Sequence, residues 1–253
     1  MAVKVCALTY DTSERNMKKA AIFTVSTGAI RSLTEPFVAM ERYSERCGAD
    51  FIRLRHSVVG FHSDYFEKMY FVELLETYER VLYLDADILI TPHAADIFSV
   101  YDDPGRMYAF NENLPTEAMN RDQYVTPLLN ACPQWPLGAN GRLRYFNSGV
   151  LLISQAQRDA FKDFREPPPG LEVIDEWFPD QTYLNYLAVK SNVPFGEIDY
   201  SFNRMHMGER DPKGERFAAH FIHYAGPDTY GEGDKAATIR DDFARLYCRG
   251  GVE

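Results

Sequence analysis

Arg80-Val-Leu-Tyr-Leu-Asp85-Ala-Asp87-Ile-Leu-Ile90 is an apolar strand that delivers two carboxylates one residue apart. Val81, Leu82, Tyr83 and Leu84 form a continuous apolar run, as expected for a central strand covered on both faces. Ile88, Leu89 and Ile90 follow before Pro92 breaks the pattern. Burying two acids uncompensated in such a segment is costly, so Asp85 and Asp87 should emerge at a strand end facing water, a cation or both. Held by carboxylate oxygens, a divalent cation there would sit well against a diphosphate. The plainer alternative is that the two acids shape a solvated turn.

Working outward, the flanking segments alternate strand and helix. Before the acidic strand, Tyr65 to Tyr78 carries Phe66, Met69, Tyr70, Leu74 and Leu75 at helical spacing. Asp50 to Leu54 reads as a strand. The stretch from Thr34 reads as a helix, with Thr34 as cap, Pro36 in its first turn, Phe37, Met40 and Tyr43 inward, and Cys47-Gly48 at its end. Val3 to Leu8 is the first apolar run and is taken as the first strand, opening at Thr9-Tyr10-Asp11. Such βαβ units imply parallel pairing. Beyond Asp87 the spacing predicts a short helix near Ala94 to Tyr101 and strands at Met107 to Asn111, Phe146 to Ile153 and Ala219 to Tyr224. Helices are predicted at Gln155 to Phe164, from Asp180 through Val189, and over Ile239 to Tyr247. Leu114 to Arg144, rich in Pro and Gly, reads as a long irregular region where specificity would reside, and Pro167-Pro168-Pro169-Gly170 as a stiff loop. Trp135 and Tyr124 in the long region are candidates for stacking on a ligand ring or for hydrophobic anchors.

Composition limits the function classes. The 253 residues carry a net charge of −10, which disfavours sequence-independent nucleic-acid binding and adhesion to acidic membrane surfaces. A 45% hydrophobic and 25% charged chain is an ordinary globular one. The four cysteines, Cys6, Cys47, Cys132 and Cys248, are scattered and form no Cys-x-x-Cys pair, so they read as reduced thiols. No apolar run is long enough to span a bilayer and the N-terminus lacks a signal-peptide layout, so no integral membrane segment and a cytoplasmic location are expected.

Four islands, in order, resemble glycosyltransferase family 8. Lys68-Met-Tyr-Phe-Val-Glu73-Leu-Leu75 stands where the family has Arg-Leu-x-x-x-Glu-Leu-Leu ahead of Tyr-Leu-Asp-x-Asp, which here is Tyr83 to Asp87. Phe146-Asn147-Ser-Gly149, Asp180-Gln181-x-x-x-Asn185 and His223-Tyr-Ala-Gly226 are similar to its Phe-Asn-x-Gly, Asp-Gln-x-x-x-Asn and His-Tyr-x-Gly elements. The resemblance runs from about residue 3 to residue 226. It implies a GT-A-type α/β fold, a Rossmann-like, mostly parallel central sheet flanked by helices with a smaller acceptor-side region. All of 1–253 would form one domain, with a nucleotide-sugar half of about 1–112 and an acceptor-side half of about 113–253.

The activity implied is transfer of a hexose from a nucleotide diphosphate sugar, with UDP the expected nucleotide, to a glycan or other hydroxyl acceptor, with retention of configuration. Asp85, Asp87 and His223 are the expected ligands of Mn2+, or of Mg2+, the imidazole nitrogen favouring manganese. Alone, His223 reads more readily as a core histidine; the His-Tyr-Ala-Gly context makes it a ligand candidate, whereas His220 is expected to face away. Leu8, Thr9, Tyr10, Lys68, Asp85, Ala86 and Gly226 are expected around the nucleotide, since a doubly wound sheet receives it at strand ends. Tyr10 would stack on a base or fill a core, and Lys68 would meet a phosphate or be an exposed helix lysine. Asn147 and Gly149 would form the active-site floor, the glycine admitting the sugar. Asp180 would bind donor-sugar hydroxyls or cap its helix, and Gln181 would lie near the anomeric carbon.

The chain departs from the family after Gly226. Where a Lys-Pro-Trp element is common, it reads Pro227-Asp-Thr-Tyr-Gly231. Lys235 is either a substitute cation over the leaving group or an exposed loop lysine. Two other readings stay open: a catalytically silent sugar-nucleotide or glycan-binding domain, and a haloacid-dehalogenase-like phosphatase using Asp85 as nucleophile. Against the phosphatase stand the late position of the motif, Leu89 where Thr or Val is usual, and no convincing later acidic motif.

Overall fold

A computed structural model describes residues 17–27, 33–61, 63–114, 120–165, 179–205, 214–226 and 234–248. In chain order its elements are β1 (Lys18–Val25), α1 (Glu35–Cys47), β2 (Asp50–Leu54), α2 (Phe71–Leu74), β3 (Tyr78–Leu84), β4 (Ile88–Ile90), α3 (Ile97–Val100) and β5 (Met107–Asn111). There follow α4 (Asp122–Val125), β6 (Phe146–Ser154), α5 (Pro179–Lys190), β7 (Phe195–Glu197), β8 (Arg204–Met205), β9 (Phe221–His223) and α6 (Lys235–Tyr247).

Six strands form the central sheet in the order β2-β1-β3-β6-β5-β7. Pairings of β1 with β2 and β3, and of β5 with β7, are parallel; β6 runs antiparallel to both neighbours. The expected mostly parallel α/β sheet is therefore present. Alternate residues of the central strands enter two separate cores, as the two-residue period of a strand demands. Phe23, Val81, Tyr83, Leu151 and Ile153 face the core shared with α2, α5 and the segment after β6. Ile22, Leu82, Leu84, Val150 and Leu152 face the core shared with α1, α6 and the smaller sheet β4-β9-β8. Strands sandwiched this way have no solvent face, which is why β6 is buried at every position.

Several boundaries match the sequence reading and others do not. Helix α1 stops where Gly48 adopts φ 63°, and Ala49 N–H returns to the Ser44 carbonyl, a left-handed cap that a side chain would disfavour. Thr34 precedes the helix but makes no side-chain cap hydrogen bond. The predicted helix over Tyr65 to Tyr78 is instead a 3-10 segment, Asp64–Tyr70, running into the short α2. It is pinned by Glu67, whose carboxylate accepts the backbone N–H groups of Val58, Val59 and Gly60 and the Ser57 hydroxyl. The helix predicted over Gln155 to Phe164 is a 3-10 segment, Gln155–Ala160.

The first strand requires a correction. The sheet position between β2 and β3 is held by Lys18–Val25, a strand absent from the sequence reading, and Val3–Leu8 with Thr9 and Tyr10 lies outside the described residues. Pro167 to Gly170 lies outside them too. In the long region, Trp135 and Tyr124 are anchors: the Trp135 indole is buried and donates to the Arg144 carbonyl at 2.6 Å, and Tyr124 stacks on buried Tyr145. Cys47, Cys132 and Cys248 are free thiols. No helix of the described residues is long and apolar enough to cross a membrane.

Candidate active site

Strand register builds the site. β3 ends at Leu84, opposite Val150 of β6, so the next residue, Asp85, lies beside Gly149 and its N–H donates to the Gly149 carbonyl at 2.8 Å. The chain turns through Asp85-Ala86-Asp87, closed by Ile88 N–H on the Asp85 carbonyl, and enters β4. β4 pairs with β9 so that Ile88 faces His223, which brings the imidazole to the two acids. Among the described residues, Asp85, Asp87 and His223 are the group with ligand atoms within 4.8 Å of one another. His223 Nε2 lies 3.8 Å from Asp85 Oδ2 and 3.5 Å from Asp87 Oδ1.

A divalent cation suits this donor set. His223 Nδ1 is 2.8 Å from Asn203 Oδ1, while Asn203 Nδ2 donates to Asn147 Oδ1 at 3.0 Å. With the Asn203 oxygen turned toward the ring, Nδ1 donates to it and Nε2 is the ring nitrogen that faces the two carboxylates. Two carboxylate oxygens and one imidazole nitrogen thus lie together, the mixed oxygen and nitrogen set that a divalent cation accepts. Burial alone would raise the Asp87 carboxyl, but His223 and Lys235 outweigh it and hold Asp87 below the usual carboxylate range.

Gly149 is a steric requirement of this cluster. A Cβ there would meet His223 Cε1 at 2.4 Å and Asp85 Oδ2 at 2.8 Å. The room that this glycine leaves is thus occupied by the two side chains, not reserved for a sugar as the sequence reading has it.

Lys68 is not an exposed helix lysine. Its side chain is 5% exposed and its ammonium lies 2.6 Å from Asp180 Oδ2 and 3.4 Å from Asp85 Oδ1, with a hydrogen bond to Ser148 Oγ at 2.9 Å. Burial works to lower the Lys68 pKa, yet Asp180 and Asp85 prevail and hold it above the ordinary lysine value. Tyr83 donates to Asp85 Oδ1 at 2.6 Å, and burial together with Asp85 pushes its phenol well up. Asp180 stands in the first turn of α5 with its carboxylate engaged by Lys68 and by the Ser148 hydroxyl.

The Asn147 and Gln181 amides belong to one buried network. Gln181 Oε1 accepts from Ser148 N–H at 2.9 Å and from Asn147 Nδ2 at 3.2 Å, and Gln181 Nε2 donates to Glu112 Oε2 at 3.1 Å. Asn147 Nδ2 also donates to Glu112 Oε2, at 2.8 Å, while the other carboxylate oxygen receives Arg121. Asn185, the last residue of its motif, clamps the start of β6 by bonding both the N–H and the carbonyl of Phe146.

Three participants differ from the sequence reading. Glu112 and Asn203, absent from it, are buried in the network. Glu112 follows the apolar strand β5 much as Asp85 follows β3, a signal available in the sequence; Asn203 sits in a short turn with no such mark. Lys235, which the sequence leaves as a substitute cation or an exposed loop lysine, is the first residue of α6 and donates to Asp87 Oδ2 at 2.9 Å. His220 does face away, against Phe202 and His93. Gly226 is exposed with φ 81°, just past β9.

The glycosyl transferase family 8 model matches residues 29–228. The chain belongs to that family. With this assignment the phosphatase alternative falls. The galactosyltransferase LgtC, solved with donor and acceptor sugar analogues, is similar at a TM-score of 0.58, with 17% identity over 90% of this chain and 96% of that one. A glycosyltransferase involved in glycosylation of the major capsid of PBCV-1 is similar at a TM-score of 0.52, with 15% identity over 87% and 99%. At such identity these likenesses speak to the shared GT-A fold. Among curated proteins, none matches the sequence.

Proposed function

We propose that this glycosyltransferase moves a hexose from a UDP-linked donor to a glycan or other hydroxyl acceptor, with a divalent metal, Mn2+ before Mg2+, held by Asp85, Asp87 and His223. The observation that carries the reading is the His223 ring, held at Nδ1 by Asn203, with Nε2 facing two carboxylates. When bound, the metal would supply Lewis-acid stabilisation of charge on the departing diphosphate.

The remaining chemistry is assigned to the chain's own side chains. The nucleotide is placed at the strand ends around Val25-Ser26, Asp85-Ala86 and Gly226, following the rule for open α/β sheets. Lys68 holds Asp180 and Asp85 in place from beneath. Asp180 then faces the donor-sugar hydroxyls, while Gln181 and Asn147, fixed through Glu112, define the floor near the anomeric carbon. Since the Asp180 carboxylate is already shared by Lys68 and Ser148, the geometry favours same-face attack assisted by the leaving diphosphate over a covalent glycosyl-Asp180 intermediate. Retention of configuration follows from that reading. Residues of both the 1–112 and the 113–253 halves contribute, consistent with one catalytic domain.

The test begins with thermal shifts against a panel of nucleotide sugars with Mn2+, Mg2+ or EDTA, because a ligand selective for the folded state raises apparent stability. The donor so found goes into a turnover assay with product configuration read by NMR. A metal-dependent shift with one UDP-sugar, and turnover abolished in Asp87→Ala, is expected. An inverted product, or a trapped glycosyl-enzyme, would overturn the same-face route. Binding without hydrolysis or transfer would identify a silent binding domain, and no shift with any nucleotide would remove the diphosphate site.

A further inference from the structure

The Asp87 carboxylate has a different partner on each oxygen. Oδ1 faces His223 Nε2, and Oδ2 accepts a hydrogen bond from the Lys235 ammonium at 2.9 Å. The root of that lysine is fixed. Asp234 caps α6 by accepting from Ala236 N–H at 2.8 Å. One turn further on, Thr238 and Ile239 are buried. The buried Asp242 carboxylate, also on α6, receives the Tyr224 hydroxyl at 2.6 Å and the Arg216 guanidinium at 2.7 and 3.0 Å. Because Tyr224 is next in sequence to His223, this lock ties α6 directly to the candidate metal site. What can move is the four-carbon arm of Lys235, whose side chain is 24% exposed and so has a way into water.

The contrast with Lys68 is informative. That ammonium is enclosed between Asp180 and Asp85, 5% exposed, and cannot leave without stranding both acids. Lys235 holds one carboxylate, from the side, on an open tether. Among the described residues, the three carboxylates of Asp85, Asp87 and Asp180 meet these two ammonium groups and, at longer range, the His223 imidazole. A divalent ion entering at Asp87 must compete with the ammonium for the carboxylate. Once the ion is in, an incoming diphosphate brings negative charge of its own, and the lysine just released from Asp87 is a cation beside it on an open tether.

We infer that Lys235 is a tethered counter-cation that occupies Asp87 in the metal-free protein, yields it to the divalent ion and then pairs with the diphosphate of the donor. The inference rests on the metal-diphosphate reading of the site given above. It assigns one residue two opposed effects: Lys235 weakens binding of the metal alone and strengthens binding of the nucleotide once the metal is present. A merely structural lysine would do neither.

The experiment is a pair of calorimetric titrations on the full chain, Mn2+ alone and then UDP at saturating Mn2+, for the wild type, Lys235→Met, Lys235→Arg and Asp87→Asn. Lys235→Met should bind Mn2+ tighter and UDP weaker, each on the order of fivefold, the scale of a partly exposed ion pair. Lys235→Arg, which keeps the charge, should stay near wild type in both. If the wild type binds Mn2+ in an Asp87-dependent manner but Lys235→Met binds Mn2+ and UDP as the wild type does, the role of Lys235 is refuted and the metal site stands. If neither the wild type nor Lys235→Met binds Mn2+, the metal reading fails and takes this inference with it.

Discussion

Gly149→Ala adds a single methyl group where His223, Asp85 and Asn147 converge. Its Cβ would lie 2.4 Å from His223 Cε1, 2.8 Å from Asp85 Oδ2 and 3.0 Å from Asn147 Oδ1. Ordinary contact begins at 3.4 Å, so the imidazole alone would have to retreat by 1.0 Å. The neighbours resist. His223 is held by its strand pairing with Ile88 and by Asn203, and Asp85 by Tyr83 and Lys68. The Gly149 backbone itself does not need a glycine, because its φ is not positive, so the effect is purely steric. Overpacking of this kind costs about 1–3 kcal/mol, which for a chain of this size lowers Tm by roughly 3–10 °C. The consequence for metal is larger, since ligand distances tolerate only about 0.2 Å. Mn2+ affinity should fall by about tenfold or more. Gly196→Ala is the matched control: it crowds Tyr108 Cε1 at 2.4 Å, involves no metal ligand, and should lower Tm without changing Mn2+ affinity. Calorimetric Mn2+ titrations and thermal melts on both variants decide the matter. If Gly149→Ala retains wild-type Mn2+ affinity, or loses no more than Gly196→Ala, the steric account of the cluster is refuted.

Two further outcomes are expected. Asn203→Leu removes the acceptor that fixes the His223 ring and should weaken Mn2+ binding about 10–100-fold; unchanged affinity in a folded variant would show that the tautomer is set otherwise. Glu67→Gln should lose about 1.5–3 kcal/mol at pH 7, the scale of hydrogen bonds to a charged group. Burial raises the Glu67 carboxyl, but the Ser57 hydroxyl and the Val59, Val58 and Gly60 N–H groups outweigh it and leave it below the ordinary glutamate value. A depressed carboxylate stabilises the fold above its unfolded pKa, about 4.3, and loses that contribution as pH falls through the lower folded value. Denaturant melts should therefore show the gap between wild type and Glu67→Gln closing as the pH drops below about 4. A gap that stays constant down to acid unfolding would contradict the carboxylate account.

The acidic strand was legible because its physics is local: a continuous apolar run marks a doubly covered strand, and acids inside it must come out at an end. The same holds for α1, where Pro36 and Gly48 mark the ends and the apolar spacing marks the face. The strand at Lys18–Val25 is hard to pick out because its neighbourhood offers two short apolar runs, Val3–Leu8 and Ala20–Val25. Periodicity cannot say which one pairs between Asp50–Leu54 and Tyr78–Leu84. The choice between the two readings of Lys235 is hidden for a related reason. Its position on α6 is ordinary for an exposed lysine, and only the docking of that helix, through Asp242 on Arg216 and Tyr224, turns it toward Asp87. Glu112 is an instructive omission, since it follows β5 as Asp85 follows β3, and the cost of burying an acid just past a strand end applies equally to both.

The three-stranded sheet explains why so much bonding surrounds a single histidine. Strands of three residues, three and two, β4, β9 and β8, make a sheet that would be marginal alone. Yet its register selects which histidine meets the acids, because a slip of one residue would turn β9 over. His220, just before β9, already faces the opposite side against Phe202. The register is defended at both ends. Thr91 N–H bonds the His220 carbonyl, and Tyr224 N–H bonds the Asp87 carbonyl, so β9 is stapled to the chain on either side of β4. The Tyr224 hydroxyl then reaches Asp242 and fixes α6 to the same strand. One strand therefore sets the distance of His223 from the acids and, through its neighbour, the distance of Lys235. The His223 ring and the Lys235 ammonium, the two groups that face Asp87, are thus positioned by the same few hydrogen bonds, so a change that loosens β9 should weaken both the proposed metal binding and the Lys235 contact.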